Sequence, residues 1–260
     1  MGAEWTPQIQ SVLDLDERAG LQFGHDCARS ETTAGPTPPA PRLTNHDGPV
    51  WVLNLGDDEN RFSPDALARI TTQLDELAHG NDPAVLVTTG TGKFFSNGLD
   101  LQWLSDNPAE LGSYVERVHA LFAKVLTLPL PTIAAINGHA FGAGAMLATA
   151  HDFRTMREDR GFFCFPEVDI HIPFTPGMAA LIQAKITPAA AVESMTTGRR
   201  YSGPEAHRVG IVDAVASHSE LVENAASSVA ALAGKDRATL RTIKETMYAS
   251  AIDALQPQAD

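Results

Sequence analysis

The chain has 260 residues, and its 19 Lys and Arg stand against 32 Asp and Glu, a formal net charge of −13. Hydrophobic residues at 43% and charged residues at 20% are ordinary for a folded globular protein and wrong for a disordered one. The acidic balance repels polyphosphate surfaces and argues against general nucleic-acid binding, although a local Lys or Arg with backbone N–H groups still holds a small anion.

Two cysteines, Cys27 and Cys164, exclude a disulfide framework and a four-cysteine zinc site, and they fit a reducing compartment. No stretch reaches the roughly 18 apolar residues of a membrane span. Met1 to Leu15 lacks the basic and apolar regions of a signal peptide, so the expected location is the cytoplasm. Met1-Gly2-Ala3-Glu4-Trp5-Thr6 meets the loose myristoylation pattern, without polybasic support beside it.

In chain order, residues 1–46 read as an N-terminal arm or linker, with four prolines between Ser30 and Pro41 and no apolar periodicity. Val50 to Leu55 opens a strand. Ser63-Pro64 starts a helix, a capping hydroxyl followed by proline at the first helical position, with Leu67, Ile70, Leu74 and Leu77 at helical spacing behind it. A strand over Ala84 to Thr89, a helix over Leu111 to Leu126 and a strand over Thr132 to Ile136 follow. The strands are continuously apolar rather than alternating, which predicts an α/β protein with strands covered on both sides. Residues 47–187 are expected to form the core that carries the site. Residues 188–260 are expected to be helical, including Ala189 to Thr197 and Leu221 to Ala233.

Three segments invite chemistry. The first is Gly90-Thr-Gly92-Lys93-Phe-Phe95-Ser-Asn-Gly98-Leu99-Asp100-Leu101. It is not a nucleotide phosphate loop, because Val87 stands where the leading glycine belongs and Phe94 where the magnesium-binding hydroxyl belongs. The second is Gly142-Ala143-Gly144 ahead of a small-residue helix. It either aims backbone N–H groups at a ligand or only permits close packing; Leu147 breaks the dinucleotide fingerprint. The third is Glu167, in Phe163-Cys-Phe-Pro-Glu-Val-Asp169-Ile170. Buried there, its pKa rises toward the range of a proton shuttle; at a strand end it faces water. The nine histidines show no metal spacing, and no Gly-x-Ser-x-Gly elbow occurs. His139 and His171 read as structural or pocket-lining, and Cys164 as a small buried hydrophobe.

Taken together, the chain resembles the crotonase superfamily of enoyl-CoA hydratases and isomerases. The matching text is Lys93-Phe-Phe-Ser-Asn-Gly-Leu-Asp100, Pro131-Thr-Ile-Ala-Ala-Ile-Asn-Gly138-His-Ala-Phe-Gly142-Ala-Gly144, Asp152-Phe-Arg, Phe165-Pro-Glu-Val-Asp169, Thr197-Gly-Arg-Arg-Tyr-Ser and Gly210-Ile-Val-Asp213. The resemblance spans about Val50 to Tyr248. It implies an α/β superhelix of β-β-α units with C-terminal helices that trimerise, in a homotrimer or homohexamer. It also implies an acyl-CoA thioester as the bound partner, with coenzyme A present only as part of the substrate and neither a separate cofactor nor a metal. By resemblance, the amides of Leu99 and Ala143 hold the thioester oxygen, with Gly98, Gly142 and Gly144 shaping their turns, and Glu167 is the acid–base residue. Phe95, Phe162 and Met146 are expected to line the acyl pocket, and Arg61 and Lys93 to meet the CoA phosphates.

The departure is at Met146, where hydratases of this family place a second glutamate. Adding water needs two acid–base groups, whereas moving a double bond needs one. With the Val-Asp-Ile continuation and the early end after Lys244-Glu-Thr-Met-Tyr248, the chain looks like the short Δ3,Δ2-enoyl-CoA isomerases. The alternatives are a weak hydratase using Asp169 as second acid (it shares a face with Glu167 if the segment is extended), a dienoyl-CoA isomerase, an acyl-CoA hydrolase, or a non-catalytic acyl-CoA-binding subunit.

Overall fold

The computed structural model describes residues 41–256. Cys27, the myristoylation pattern and nearly all of the proline-rich arm lie outside the described residues. In chain order the elements are β1 (Arg42–Asp47), β2 (Val50–Asn54), α1 (Pro64–His79), β3 (Val85–Thr89), β4 (Phe94–Ser96), α2 (Leu101–Asp106) and α3 (Leu111–Leu126). Next come β5 (Thr132–Ile136), β6 (His139–Phe141), α4 (Ala143–Ala150), β7 (Phe153–Arg157) and β8 (Phe163–Cys164). The chain continues through α5 (Pro176–Lys185), α6 (Pro188–Thr197), α7 (Gly203–Arg208), β9 (Ala214–Ala216), α8 (Leu221–Ala230), α9 (Arg237–Met247) and α10 (Ala249–Leu255).

A six-stranded sheet runs β1-β2-β3-β5-β7-β9, parallel except for β1. Its continuous apolar strands serve two faces. Leu86, Ala134 and Ile136 point to the main core with Leu67, Ile70 and Leu74 of α1, while Val85, Val87, Ile133 and Ala135 point to a second core closed by α8 through Leu221, Ala225 and Val229. The pairing of a hydroxyl cap with proline, read at Ser63-Pro64, recurs at Thr175-Pro176 and Thr187-Pro188, each hydroxyl accepting the backbone N–H three residues on.

Two expectations are corrected. Residues 42–46 belong not to a linker but to an antiparallel edge strand, turned back at Gly48 (φ +50°) and paired from Arg42↔Asn54 onward. Its residues are mostly exposed and polar, as suits an edge strand that must resist further pairing, so it carries no apolar run to reveal it. The C-terminal region is not wholly helical: β9 joins the main sheet beside β7, and α8 covers that sheet. Lys244 clips α9 to the strand layer, its buried Nζ donating to Leu128 O (3.0 Å), Leu130 O (2.9 Å) and Asp152 Oδ2 (2.6 Å). No helix among the described residues is long and apolar enough to cross a membrane.

Candidate active site

A second, three-stranded parallel sheet, β4-β6-β8, brings the site together. Each of the three chemical segments leaves the C-terminal end of one of its strands: Gly98-Leu99 after β4, Gly142-Ala143 after β6, and Glu167 after β8. Neighbouring parallel strands place their exits side by side, where ligands of open α/β sheets collect. Residues 99, 143 and 167 are thereby neighbours despite their separation along the chain.

The first two exits meet at backbone level. A β-carbon on Gly98 (φ +81°) would stand 2.8 Å from Phe141 O and 3.0 Å from Ala143 N, and one on Gly144 would collide with Ser96 O. Glycine is therefore required at both positions. Along the first loop the N–H groups are used one by one: Asn97 N–H on Glu59 O (2.8 Å), Gly98 N–H on Ser96 Oγ (3.1 Å), Asp100 N–H on Tyr114 Oη (3.0 Å). The Leu99 N–H has no such acceptor among the described residues, nor has that of Ala143, the first residue of α4. Two unspent donors at adjoining turns, one at a helix N-terminus, are groups of the kind that can stabilise an anion.

Glu167 approaches the second turn from the third exit. A β-carbon on Gly142 (φ +50°) would lie 3.4 Å from Glu167 Oε1. The carboxyl is buried, and Oε2 has no hydrogen-bond partner among the described residues. Desolvation pushes its pKa up to about 8, against a small opposing effect of its own backbone N–H. A buried carboxyl with an idle oxygen beside the Gly142-Ala143 turn is equipped to take up and return a proton.

The model of the enoyl-CoA hydratase/isomerase family matches residues 49–260. The chain belongs to the enoyl-CoA hydratase/isomerase family. It is 42% identical over 182 residues to the peroxisomal enoyl-CoA delta isomerase 2 of Arabidopsis thaliana, covering 66% of this chain and 76% of that protein. It is 39% identical over 215 residues to enoyl-CoA delta isomerase 3 of the same plant (77% and 89%) and 35% over 207 residues to carnitinyl-CoA dehydratase of Salmonella typhi (78% of each). Among solved structures it shares its fold with a probable enoyl-CoA hydratase of Mycobacterium tuberculosis, at TM-score 0.77 and 22% identity over 84% of this chain and 92% of that one. The crotonase-like α/β architecture is therefore that of the family.

The remaining predicted site residues of this family member fall in different places. Phe95 and Met146 are fully buried in the main core, Met146 on the first turn of α4 with its N–H on Gly142 O (3.0 Å). Phe162 is not with them. It is 38% exposed and stacks on His139 at 5.7 Å, in an outer aromatic group with Phe94 and Phe141. Alternation explains the separation, since Phe95, Ala140 and Phe163 face the main core while Phe94, Phe141 and Cys164 form a cluster of their own. Burial, with Lys93, Arg160 and Arg200 nearby, lowers the His139 pKa to about 4. Lys93 lies on that outer side, 5.7 Å from the Phe94 ring centre. Arg61 sits elsewhere, bonded to Glu59 Oε2 (2.5 Å) and Leu99 O (3.3 Å). Asp169 does not share an extended face with Glu167. Residues 167–171 form a turn, with Asp169 and Ile170 N–H both on Pro166 O, and the exposed Asp169 carboxylate packs against Gly198. Sequence reading gave no role to Asn60, Ser96, Asn137 and Tyr114, which hold the loops through backbone groups; Ser96 and Asn137 lie inside the quoted motifs, whereas Asn60, with its positive φ of 51°, and Tyr114 lie in none.

Proposed function

We propose that the chain converts 3-enoyl-CoA to 2-enoyl-CoA thioesters. The observation that carries this reading is Glu167, a buried carboxyl with an unpartnered oxygen and a raised pKa beside the Gly142-Ala143 turn. The thioester oxygen accepts from the Leu99 and Ala143 N–H groups. Ionised Glu167 removes a proton from C2, the C2–H electron pair moves into a dienolate whose negative charge rests on that oxygen, and the protonated carboxyl returns the proton to C4 as the double bond settles between C2 and C3. No second acid–base group is required. Met146, a thioether without a proton to exchange, occupies the place where the family's hydratases carry a glutamate, and Asp169 is turned away toward Gly198. The sequence kinship to delta isomerases supports the same choice. Phe95 and Met146 back the acyl pocket in this reading, and Arg61 and Lys93 remain the cationic groups assigned to the CoA phosphates.

The test is turnover by the purified protein on a 3-enoyl-CoA, with both products followed. The 2-enoyl product is expected with little 3-hydroxyacyl-CoA, and kcat/KM for isomerisation is expected to exceed that for hydration by ~10², the scale of one missing acid–base group. Comparable rates for the two reactions would reject the isomerase in favour of a hydratase, and no turnover at all would leave an acyl-CoA-binding subunit.

A further inference from the structure

The isomerisation route gives no role to several fully buried polar side chains around these loops, Ser96 and Tyr114 among them. Tyr114, on α3, has no exposed surface, and its hydroxyl donates to Phe62 O (2.7 Å) and accepts from Asp100 N–H (3.0 Å). Those partners bracket the Leu99 amide. The Leu99 N–H belongs to the Gly98–Leu99 peptide, whose carbonyl accepts from Phe62 N–H (2.8 Å). The next peptide, Leu99–Asp100, is held at both ends, its carbonyl by Arg61 Nη1 (3.3 Å) and its N–H by the Tyr114 hydroxyl. Phe62 and Leu99 form an isolated parallel bridge, so the two chains run side by side with no longer ladder to keep them in register. With both flanking peptides tied, the torsions of Leu99 are set and its N–H direction is fixed.

We propose that Tyr114 is a positioning residue for the oxyanion site: its hydroxyl bridges the Phe62 carbonyl and the Asp100 amide and so keeps the Leu99 N–H aimed at the thioester oxygen. The proposal rests on the acyl-CoA reading given above. Without the hydroxyl, the part-buried Asp100 N–H and the buried Phe62 carbonyl lose this partner, and the Leu99–Asp100 peptide is held only through Arg61. Preorganised donors lose effect once they must be reoriented during the reaction, so the loss falls on the transition state rather than on the CoA contacts.

Tyr114→Phe keeps the ring and its packing against Trp103 (5.5 Å between centres) and deletes only the hydroxyl. Two readouts separate positioning from space-filling: the split between kcat and KM, and the red shift in absorption that a cinnamoyl-CoA thioester shows when oxyanion donors polarise its carbonyl. We expect kcat to fall about 10–100-fold with KM within about threefold, and the red shift to shrink while cinnamoyl-CoA still binds. A variant that only melts earlier, with kcat and red shift unchanged, would overturn the proposal. Should Tyr114→Phe not fold, 3,5-difluorotyrosine at position 114 retains ring and hydroxyl but makes the oxygen a weaker acceptor; its red shift and kcat should fall, and unchanged values would overturn the proposal equally. Wild-type protein that binds no cinnamoyl-CoA, or binds it without a red shift, removes the acyl-CoA reading and this proposal with it, an outcome distinct from a wild-type shift that ignores position 114.

Discussion

Glu167 combines burial, an idle oxygen and a pKa near 8, and each has a measurable consequence. As a base it acts ionised, so kcat/KM should rise about tenfold per pH unit below 8 and level off above it. Glu167→Gln keeps the shape but cannot take a proton; kcat should fall roughly 10²–10⁴-fold with little change in acyl-CoA affinity. Retention of more than a tenth of wild-type kcat would place the shuttle elsewhere. The same burial affects stability. Folded protein holds the Glu167 proton up to about pH 8, whereas the unfolded chain releases it near the ordinary 4.5. Between those values the unfolded state binds fewer protons, so this residue's contribution to stability declines as pH rises and is constant above pH 8. Glu167→Gln should therefore melt close to wild type at pH 4.5 and above it at pH 8, by at least about 2–4 °C, the scale of 1 kcal/mol in a domain of this size. A variant melting below wild type at pH 8 would show that the carboxylate is stabilised in the fold by a partner.

At the scale of elements, the small sheet does the assembly, and its tolerance for extra atoms is uneven. A β-carbon on Gly144 meets Ser96 O, a backbone atom of β4 that cannot swing aside, so Gly144→Ala must push α4 off the sheet and move the Ala143 amide with it. We expect a loss of about 1–3 kcal/mol, seen as a fall in Tm, together with a drop in kcat. Gly112→Ala, near the start of α3 with nothing within 4 Å, is the matched control; it should leave kcat unchanged and Tm equal to or up to about 2–4 °C above wild type. Thermal melts with kinetics on the two variants check this, and equal effects would contradict the close approach of α4 and β4. The strands that make this assembly, Phe94–Ser96, His139–Phe141 and Phe163–Cys164, have two or three residues each. Segments that short cannot display a period of two, so the first two read as a glycine-rich loop and a glycine-punctuated turn and the third only as an apolar run, although the motifs they carry are plain.

For the whole molecule, the resemblance implies self-association, and Phe162, Val168 and Val192 supply exposed apolar surface. Light scattering on the eluting protein should return three or six times the 27.8 kDa chain mass, and a monomer would reject that expectation. The local chemistry of the chain determined much by itself. Apolar runs of five residues, helical leucine spacing behind Ser63-Pro64, and glycine-bearing motifs in fixed order all act over a few residues, so β2, α1, β3, α3 and β5 were legible, as was the order of the three segments that the small sheet brings together. What only the tertiary structure decided depends on contacts distant in sequence. The edge strand β1 exists because β2 offers it a free side, Asp169 is withdrawn because the Pro166 carbonyl closes a turn, and Phe162 lies apart from Phe95 and Met146 because strand alternation turns it outward. Tyr114 reaches Phe62 and Asp100 only after α3 has packed beneath the loop. Backbone-to-side-chain bonds of that kind carry no residue pattern, because almost any peptide group can be the partner.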